Sequence, residues 1–239
     1  MKKLFRLHSK GGDLKQALAR RKLTELIFEN FVYLKPFQNT LLKQKPWHLD
    51  GVPAVDEVVK MAARFQLLKP KNYLESPVQI WELADKDNLI YFMGGWLEEL
   101  MALALFDAQC DSVRFSQPIQ WTASVDGSNH MNEIDVIGQA GEKTVLVSCK
   151  AMSNLALERR KGESRIFDAL QELSYWNMHF GGGNAICIFM TTADFYDEVT
   201  QTFRSAKLVE RASVMNIHVI SADFESYDQV LNRIKVILD

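Results

Sequence analysis

MNEIDVIGQAGEKTVLVSCKA, residues 131–151, holds two strand-like runs, MNEIDVIGQ and KTVLVSCKA, parted by the turn residues Ala140-Gly141-Glu142. Alternate residues of a strand share a face. Glu133 and Asp135 therefore fall on one face of the first run, with Ile134 and Val136 on the other. In the second run Ser148 and Lys150 share a face, opposite Val145, Val147 and Cys149. If the runs pair as a hairpin, Asp135 comes near Ser148 and Lys150. A carboxylate beside a lysine at the polar end of neighbouring strands suits metal-assisted phosphodiester hydrolysis. The carboxylate can hold a hard cation, Mg²⁺ or Mn²⁺. Such a cation polarises the phosphate and lowers the pKa of the attacking water, while the lysine stabilises charge or orients that water.

Ahead of this pair VRFSQPIQW supplies a strand, with Gly127 and Asn129 marking the turn. GGWLEELMALALFDA, ahead of it, has the composition of a helix. Downstream the pattern predicts a helix within 163–179, ended by Gly181-Gly182-Gly183, and a buried-type strand, AICIFMTT. A helix across 195–214, a short strand HVIS and a last helix near 223–237 follow. The order α-β-β-β-α-β-α-β-α predicts an α/β domain over residues 91–239, a mixed central sheet flanked by helices.

Residues 1–90 read differently. Leu14, Leu18, Leu23, Leu26 and Ile27 recur at helical spacing and predict one amphipathic helix over 14–33, capped by Asp13. Three prolines and Gly51 predict loop over 36–53. Val58, Val59, Ala62 and Phe65 share a side of a helix from Val55 to Leu68. In PVQIWELADKDNLIYFM, two β-rich runs around Asp85-Lys86-Asp87-Asn88 predict a hairpin. Helices followed by a hairpin fit a mainly helical, winged-helix-like module.

Bulk properties narrow the classes. The chain of 239 residues has a net charge of -2 and 47% hydrophobic residues, enough for a real core without a global basic field. Nucleic acid would have to be bound by local patches. Arg159-Arg160-Lys161 with Arg165 follows the 131–151 segment directly and could grip a phosphate backbone; Arg20-Arg21-Lys22 is a second basic cluster. A solvated charged face is the plain alternative for both. Cys110, Cys149 and Cys187 are too scattered for a disulfide frame or zinc site and predict reduced thiols in a cytoplasmic protein. No apolar h-region follows the basic N-terminus, and no uninterrupted apolar run approaches about 18 residues, so neither a signal peptide nor a membrane span is expected. The five histidines lack zinc spacing, and neither Ser153 nor Ser164 sits in a GxSxG context.

Taken together, Glu98 on the helix, Asp135 on the second strand and Lys150 on the third resemble the PD-(D/E)XK nuclease superfamily, with its restriction-endonuclease-like fold. GGWLEEL, NEIDV and VSCK, within residues 76–192, resemble a narrower group, the CRISPR ancillary nucleases that join a cyclic-oligoadenylate sensor, a winged helix and a PD-(D/E)XK domain. Nothing before residue 90 reads as that strand-rich sensor. The resemblance implies Mg²⁺ or Mn²⁺ as cofactor, nucleic acid (DNA ahead of RNA) as partner, a homodimer or a larger complex, and a defence or mobile-element setting. It assigns Asp135 to the metal, Lys150 to the attacking water and Glu98 to an outer ligand or orienting role.

One departure stands at Ser148, where the pattern has Asp or Glu. Serine is neutral and a weak ligand for Mg²⁺. Two readings follow. In one, the site is degenerate and the protein binds without cutting. In the other, a carboxylate has migrated, as in restriction enzymes whose third strand reads Ser-x-Lys. Glu163, thirteen residues after Lys150, is then the second metal ligand, with Glu158 as the weaker alternative. Glu99, Gln171 and Glu172 are further polar residues near the site, each with a solvated helix face as its plain reading.

Overall fold

The computed structural model describes residues 5–7, 11–49, 51–71, 79–122, 129–154, 160–221 and 226–239. Before residue 90 it contains strand β1 (Phe5–Leu7), helices α1 (Leu14–Ala19), α2 (Arg21–Glu29) and α3 (Lys35–Leu42), strand β2 (Trp47–His48), helix α4 (Pro53–Arg64) and strands β3 (Leu68–Lys71) and β4 (Ile80–Leu83). Asp13 caps α1 as expected, its Oδ1 accepting from the Lys15 and Gln16 amides. The single helix expected over 14–33 is broken at Arg20, whose φ of -104° and ψ of 15° leave the helical region. The loop expected over 36–53 contains α3, because Pro36 stands in the first turn, where its missing N–H costs nothing.

The short strands form a three-stranded antiparallel sheet in the order β2-β4-β3, Trp47 lying opposite Trp81. Its hairpin joins β3 to β4. It does not turn at Asp85-Lys86-Asp87-Asn88, where it was expected. There the Asp85 carboxylate accepts from the Asp87 amide, and i→i+3 bonds start helix α5 (Asn88–Ile90). The apolar run LIYFM is helical because it continues, across a kink, into α6 (Trp96–Asp107). At the kink Gly94 has φ 158° and ψ -24°. A helix apolar on every side belongs in a core, and Trp96, Leu97, Leu100, Met101, Leu103 and Leu105 are all fully buried. The whole stretch Asn88–Asp107 is long and apolar enough to cross a membrane, and it is mostly buried inside the protein. Gly94-Gly95 and Glu98-Glu99 hide this continuity from a search for uninterrupted apolar runs.

The central sheet follows the expected order. Strands β5 (Ser112–Thr122), β6 (Asn129–Ala140) and β7 (Lys143–Lys150) form an antiparallel meander, and β8 (Ile186–Thr191) and β11 (Ile217–Ile220) add in parallel. With β1 pairing β5, the order is β1-β5-β6-β7-β8-β11, a mixed sheet. The turn read at Gly127 lies outside the described residues. Helix α7 (Arg160–His179) ends as expected: Gly181 and Gly183 bond back to the Trp176 and Asn177 carbonyls, and Gly182 and Gly183 hold positive φ. The helix expected over 195–214 starts late. Strands β9 (Tyr196–Asp197) and β10 (Thr202–Phe203) form a small hairpin, and α8 spans only Ala206–Val214. Helix α9 (Tyr227–Leu238) is last.

Two cores flank the sheet. One packs Val136, Val145, Val147, Ile188 and Met190 against α6, α9 and the N-terminal helices. The other packs Ile134, Leu146, Cys187 and Phe189 against α7 and α8. Helix α6 is thus covered by the sheet on one side and by α1 and α2 on another, and the first core runs through residues on both sides of position 90. The three cysteines are unpaired and buried.

Candidate functional site

Ile134 and Val136 were expected on one face of β6, yet they enter different cores. Between them lies Asp135. The β5–β6 ladder registers Phe115 with Val136 and Gln117 with Ile134, skipping Ser116 and Asp135, and Ser116 has a φ of 42°. The β6–β7 ladder ends at Val136–Val147, one residue before Asp135 would face Ser148. A sheet interrupted at one position re-aims the side chain there. Asp135 uses that freedom to take the next ladder donor itself: its Oδ2 accepts from the Cys149 amide at 2.6 Å. The same oxygen accepts from Ser148 Oγ at 3.1 Å and Lys150 Nζ at 3.2 Å. Asp135, Ser148 and Lys150 are therefore together, as the strand periodicity anticipated.

Helix α6 brings the next carboxylate. Its first turn carries Glu98, whose Oε2 accepts from Ser116 Oγ at 2.5 Å. A carboxylate oxygen of Glu98, one of Glu133 and one of Asp135 lie within 4.8 Å of one another. Charge shows in their acidities. Burial, reinforced by the negative charges of Asp135 and Glu133, pushes Glu98 up to about 8, against the pull of the Ser116 hydrogen bond. Burial and then Asp135 also raise Glu133. Burial works against the charge of Lys150, but Asp135 more than offsets it and the lysine is raised. Full burial lifts the Cys149 thiol far above its usual value, and the thiol turns to the Leu97 carbonyl.

Glu98, Cys149 and Lys150 face a cleft of about 450 Å³ at the carboxyl end of β7, between α6 and α7, while Glu133, Asp135 and Ser148 border a small hollow that shares Glu172 with it. Gly94, Asp168 and Glu172 also belong to the lining of the larger cleft. Arg165 lines the cleft, and Arg160 and Lys161 are exposed on the first turn of the same helix. Arg159 and Glu158 lie outside the described residues. Glu163 is not brought to the carboxylate group: its Oε1 accepts from Ser205 Oγ at 3.2 Å. The third carboxylate is Glu133, which strand periodicity had already placed beside Asp135. Glu172 bonds Asn132 at 2.6 Å on the rim, whereas Gln171 is exposed and does not line the cleft. Arg20 and Arg21 are committed elsewhere, to Glu99 and Asp107.

No family model matches the sequence, and no curated protein is significantly similar to it. Solved structures share its fold. Protein VC1899 from Vibrio cholerae matches with a TM-score of 0.68 at 15% identity, over 98% of this chain and 59% of that one. Can2 from Sulfobacillus thermosulfidooxidans, in complex with cyclic tetra-adenylate, matches with a TM-score of 0.60 at 16% identity, over 98% of this chain and 58% of its own. The chain is Can2-like in fold and spans less than two thirds of either relative's length.

Proposed function

We propose that the protein is a PD-(D/E)XK-type nuclease that hydrolyses phosphodiester bonds with a divalent cation. The observation that carries this reading is Asp135 bonded to Lys150 at 3.2 Å beside Glu98 and Glu133, at an open cleft. The donor set fits Mg²⁺ or Mn²⁺, since three carboxylate oxygens are hard ligands and the Cys149 thiol is turned away. A cation held by Asp135, Glu133 and Glu98 would polarise the phosphate and acidify its bound water. The chain's own residues do the rest. Ser148 and the Cys149 amide orient Asp135. Lys150 keeps its charge through Asp135 and presents an ammonium to the cleft, where it can balance charge on a phosphate or hold a water. In this reading Glu133 supplies the negative charge that Ser148 lacks, in place of the migrated Glu163.

Ser148 also favours a second reading, a nuclease fold that binds nucleic acid or protein partners without cutting. It is buried and neutral, and it serves Asp135 as a hydrogen-bond donor. The sheet order β2-β4-β3 with its attached helices supports the winged-helix-like reading of residues before 90, as a module for dimerisation or substrate positioning. The defence setting rests on the resemblance and on the Can2-like fold.

Cleavage of single- and double-stranded DNA and RNA in Mg²⁺ or Mn²⁺ tests the proposal. Activity lost in both Asp135→Ala and Lys150→Ala establishes the nuclease. Nucleic-acid binding that persists in chelator, with no cleavage by the wild type, establishes the second reading.

A further inference from the structure

Phe115 and Gln117, on either side of Ser116 in β5, are both buried. A strap at Gly11-Gly12 lies against them. The Gly12 amide donates to the Phe115 carbonyl at 2.7 Å. A Cβ at Gly12 would fall 2.1 Å from the Phe115 ring, and one at Gly11 would fall 3.0 Å from Gln117 Oε1, so the strap comes this close because it carries no side chains. Between these two fixed residues Ser116 is held at φ 42°, in the left-handed region that glycine favours. The β5–β6 ladder skips Ser116 and, opposite it, Asp135. A residue other than glycine keeps such a backbone only where its surroundings over-determine it, and sites of this kind cluster where function needs them.

The hydroxyl of Ser116 has a definite use. It donates to Glu98 Oε2 at 2.5 Å. Glu98 is a long side chain on the first turn of α6, and one of its oxygens lies within 4.8 Å of oxygens of Glu133 and Asp135. Ionised carboxylates only accept hydrogen bonds, and like charges this close repel. A donor is therefore needed to keep the Glu98 carboxylate among the other two. Glycine would suit the backbone at this position and supply no donor; serine supplies the donor against the preference of the backbone.

We propose that Ser116 is a positioning residue of the acidic site: its hydroxyl aims Glu98 at Glu133 and Asp135, and its left-handed backbone keeps the ladder open opposite Asp135. What the carboxylates are used for rests on the nuclease reading. Where Ser116 puts them rests on the hydrogen bond and the strand register alone. Through the Gly11-Gly12 strap, the segment ahead of α1 takes part in shaping the site.

Ser116→Gly and Ser116→Ala both remove the donor and differ at the backbone. Ser116→Gly is expected to melt at a higher temperature than Ser116→Ala, because glycine adopts φ 42° without strain. Both are expected to bind Mn²⁺ about tenfold more weakly than wild type in calorimetry, the usual consequence of losing a hydrogen bond behind a metal ligand, and to cut DNA more slowly to match. Crystal structures of both variants should show Glu98 turned out of reach of Glu133 and Asp135. If Mn²⁺ affinity followed stability instead, with Ser116→Gly close to wild type, Ser116 would serve the backbone only and the proposal would fall. It falls equally if Glu98 stays in place in both crystals. A wild type that takes up no Mn²⁺ and cuts nothing, with Glu98 displaced in both variants, would sustain the positioning role and defeat the nuclease reading instead.

Discussion

Glu98 is a carboxylate pressed between burial and two other carboxylates, and its behaviour separates the cation-free protein from the loaded one. Free of cation, it is held near 8 against an ordinary value of 4.5. Folding therefore favours its protonated form. The stability it contributes is complete below pH 4.5 and is lost as pH rises through about 8. Cation-free protein is expected to melt at a lower temperature at pH 8.5 than at pH 6, and Glu98→Gln should shrink that difference; an unaltered profile in the variant would refute the assignment. Cation uptake at neutral pH should also release a proton, measurable by calorimetry in buffers of different ionisation enthalpy.

The neighbouring acids divide more sharply. Glu133→Gln is expected to weaken Mn²⁺ affinity about 10- to 100-fold, whereas Glu163→Gln, whose side chain is engaged by Ser205, should leave it unchanged. The reverse pattern would restore the migrated-carboxylate reading. Lys150→Ala should lower kcat about 10²- to 10³-fold, with Mn²⁺ binding retained through Asp135.

At the scale of elements, the kink at Gly94 lets one apolar stretch do two jobs. Residues 88–93 pack toward the N-terminal helices, and Trp96–Asp107 runs on through the core with Glu98 at its start. A side chain at Gly94 has open space but an unfavourable backbone, φ 158° with ψ -24°. Gly94→Ala is expected to cost about 1–3 kcal/mol of stability and to lower activity by displacing Glu98; urea unfolding and cleavage assays read the two effects. An equally stable, fully active variant would show that the kink is incidental. Three of the element boundaries misread from sequence, all before residue 90, are of one kind. Arg20, Pro36 and the Asp85–Asn88 turn sit where local signals permit either continuation or a break, and contacts from distant parts of the chain chose: Arg20 with Glu99, α3 with Phe92.

At the scale of the whole molecule, a buried ion pair ties the N-terminal helices to that central helix. Glu99 is fully buried, and its oxygens accept from Arg20 and from Thr24 Oγ, which itself pairs with Tyr91 Oη at 2.9 Å. Removing one member of such a pair strands a buried charge. Arg20→Ala is expected to cost about 3–5 kcal/mol, seen as a lowered urea midpoint, while the neighbouring exposed Lys22→Ala should cost little. Near-equal effects of the two would mean that the pair is not a clamp. Arg21, bonded to Asp107 together with the Tyr227 hydroxyl, extends the same fastening to the last helix.

The mixed sheet, the apolar helix ahead of it and the meeting of Asp135, Ser148 and Lys150 are legible in the residue pattern alone. Each is a matter of period: a strand of alternating residues and a short turn leave few ways to pair, and pairing brings those side chains together. Periodicity set Glu133 on the face of Asp135, but by the same rule it set Ile134 with Val136, and the interruption at Asp135 sent those two into different cores. Long-range packing chose which further acid joins Asp135, Ser148 and Lys150. Whether Glu133 or Glu163 completes the acidic group depends on the interruption of two ladders at Asp135 and on the Ser205 contact, neither of which has a local signature. Whether Arg20 and Arg21 face solvent or partners depends on Glu99 and Asp107, some eighty residues away along the chain. Charges read along a chain carry no record of their partners, because the fields that set their roles act through space.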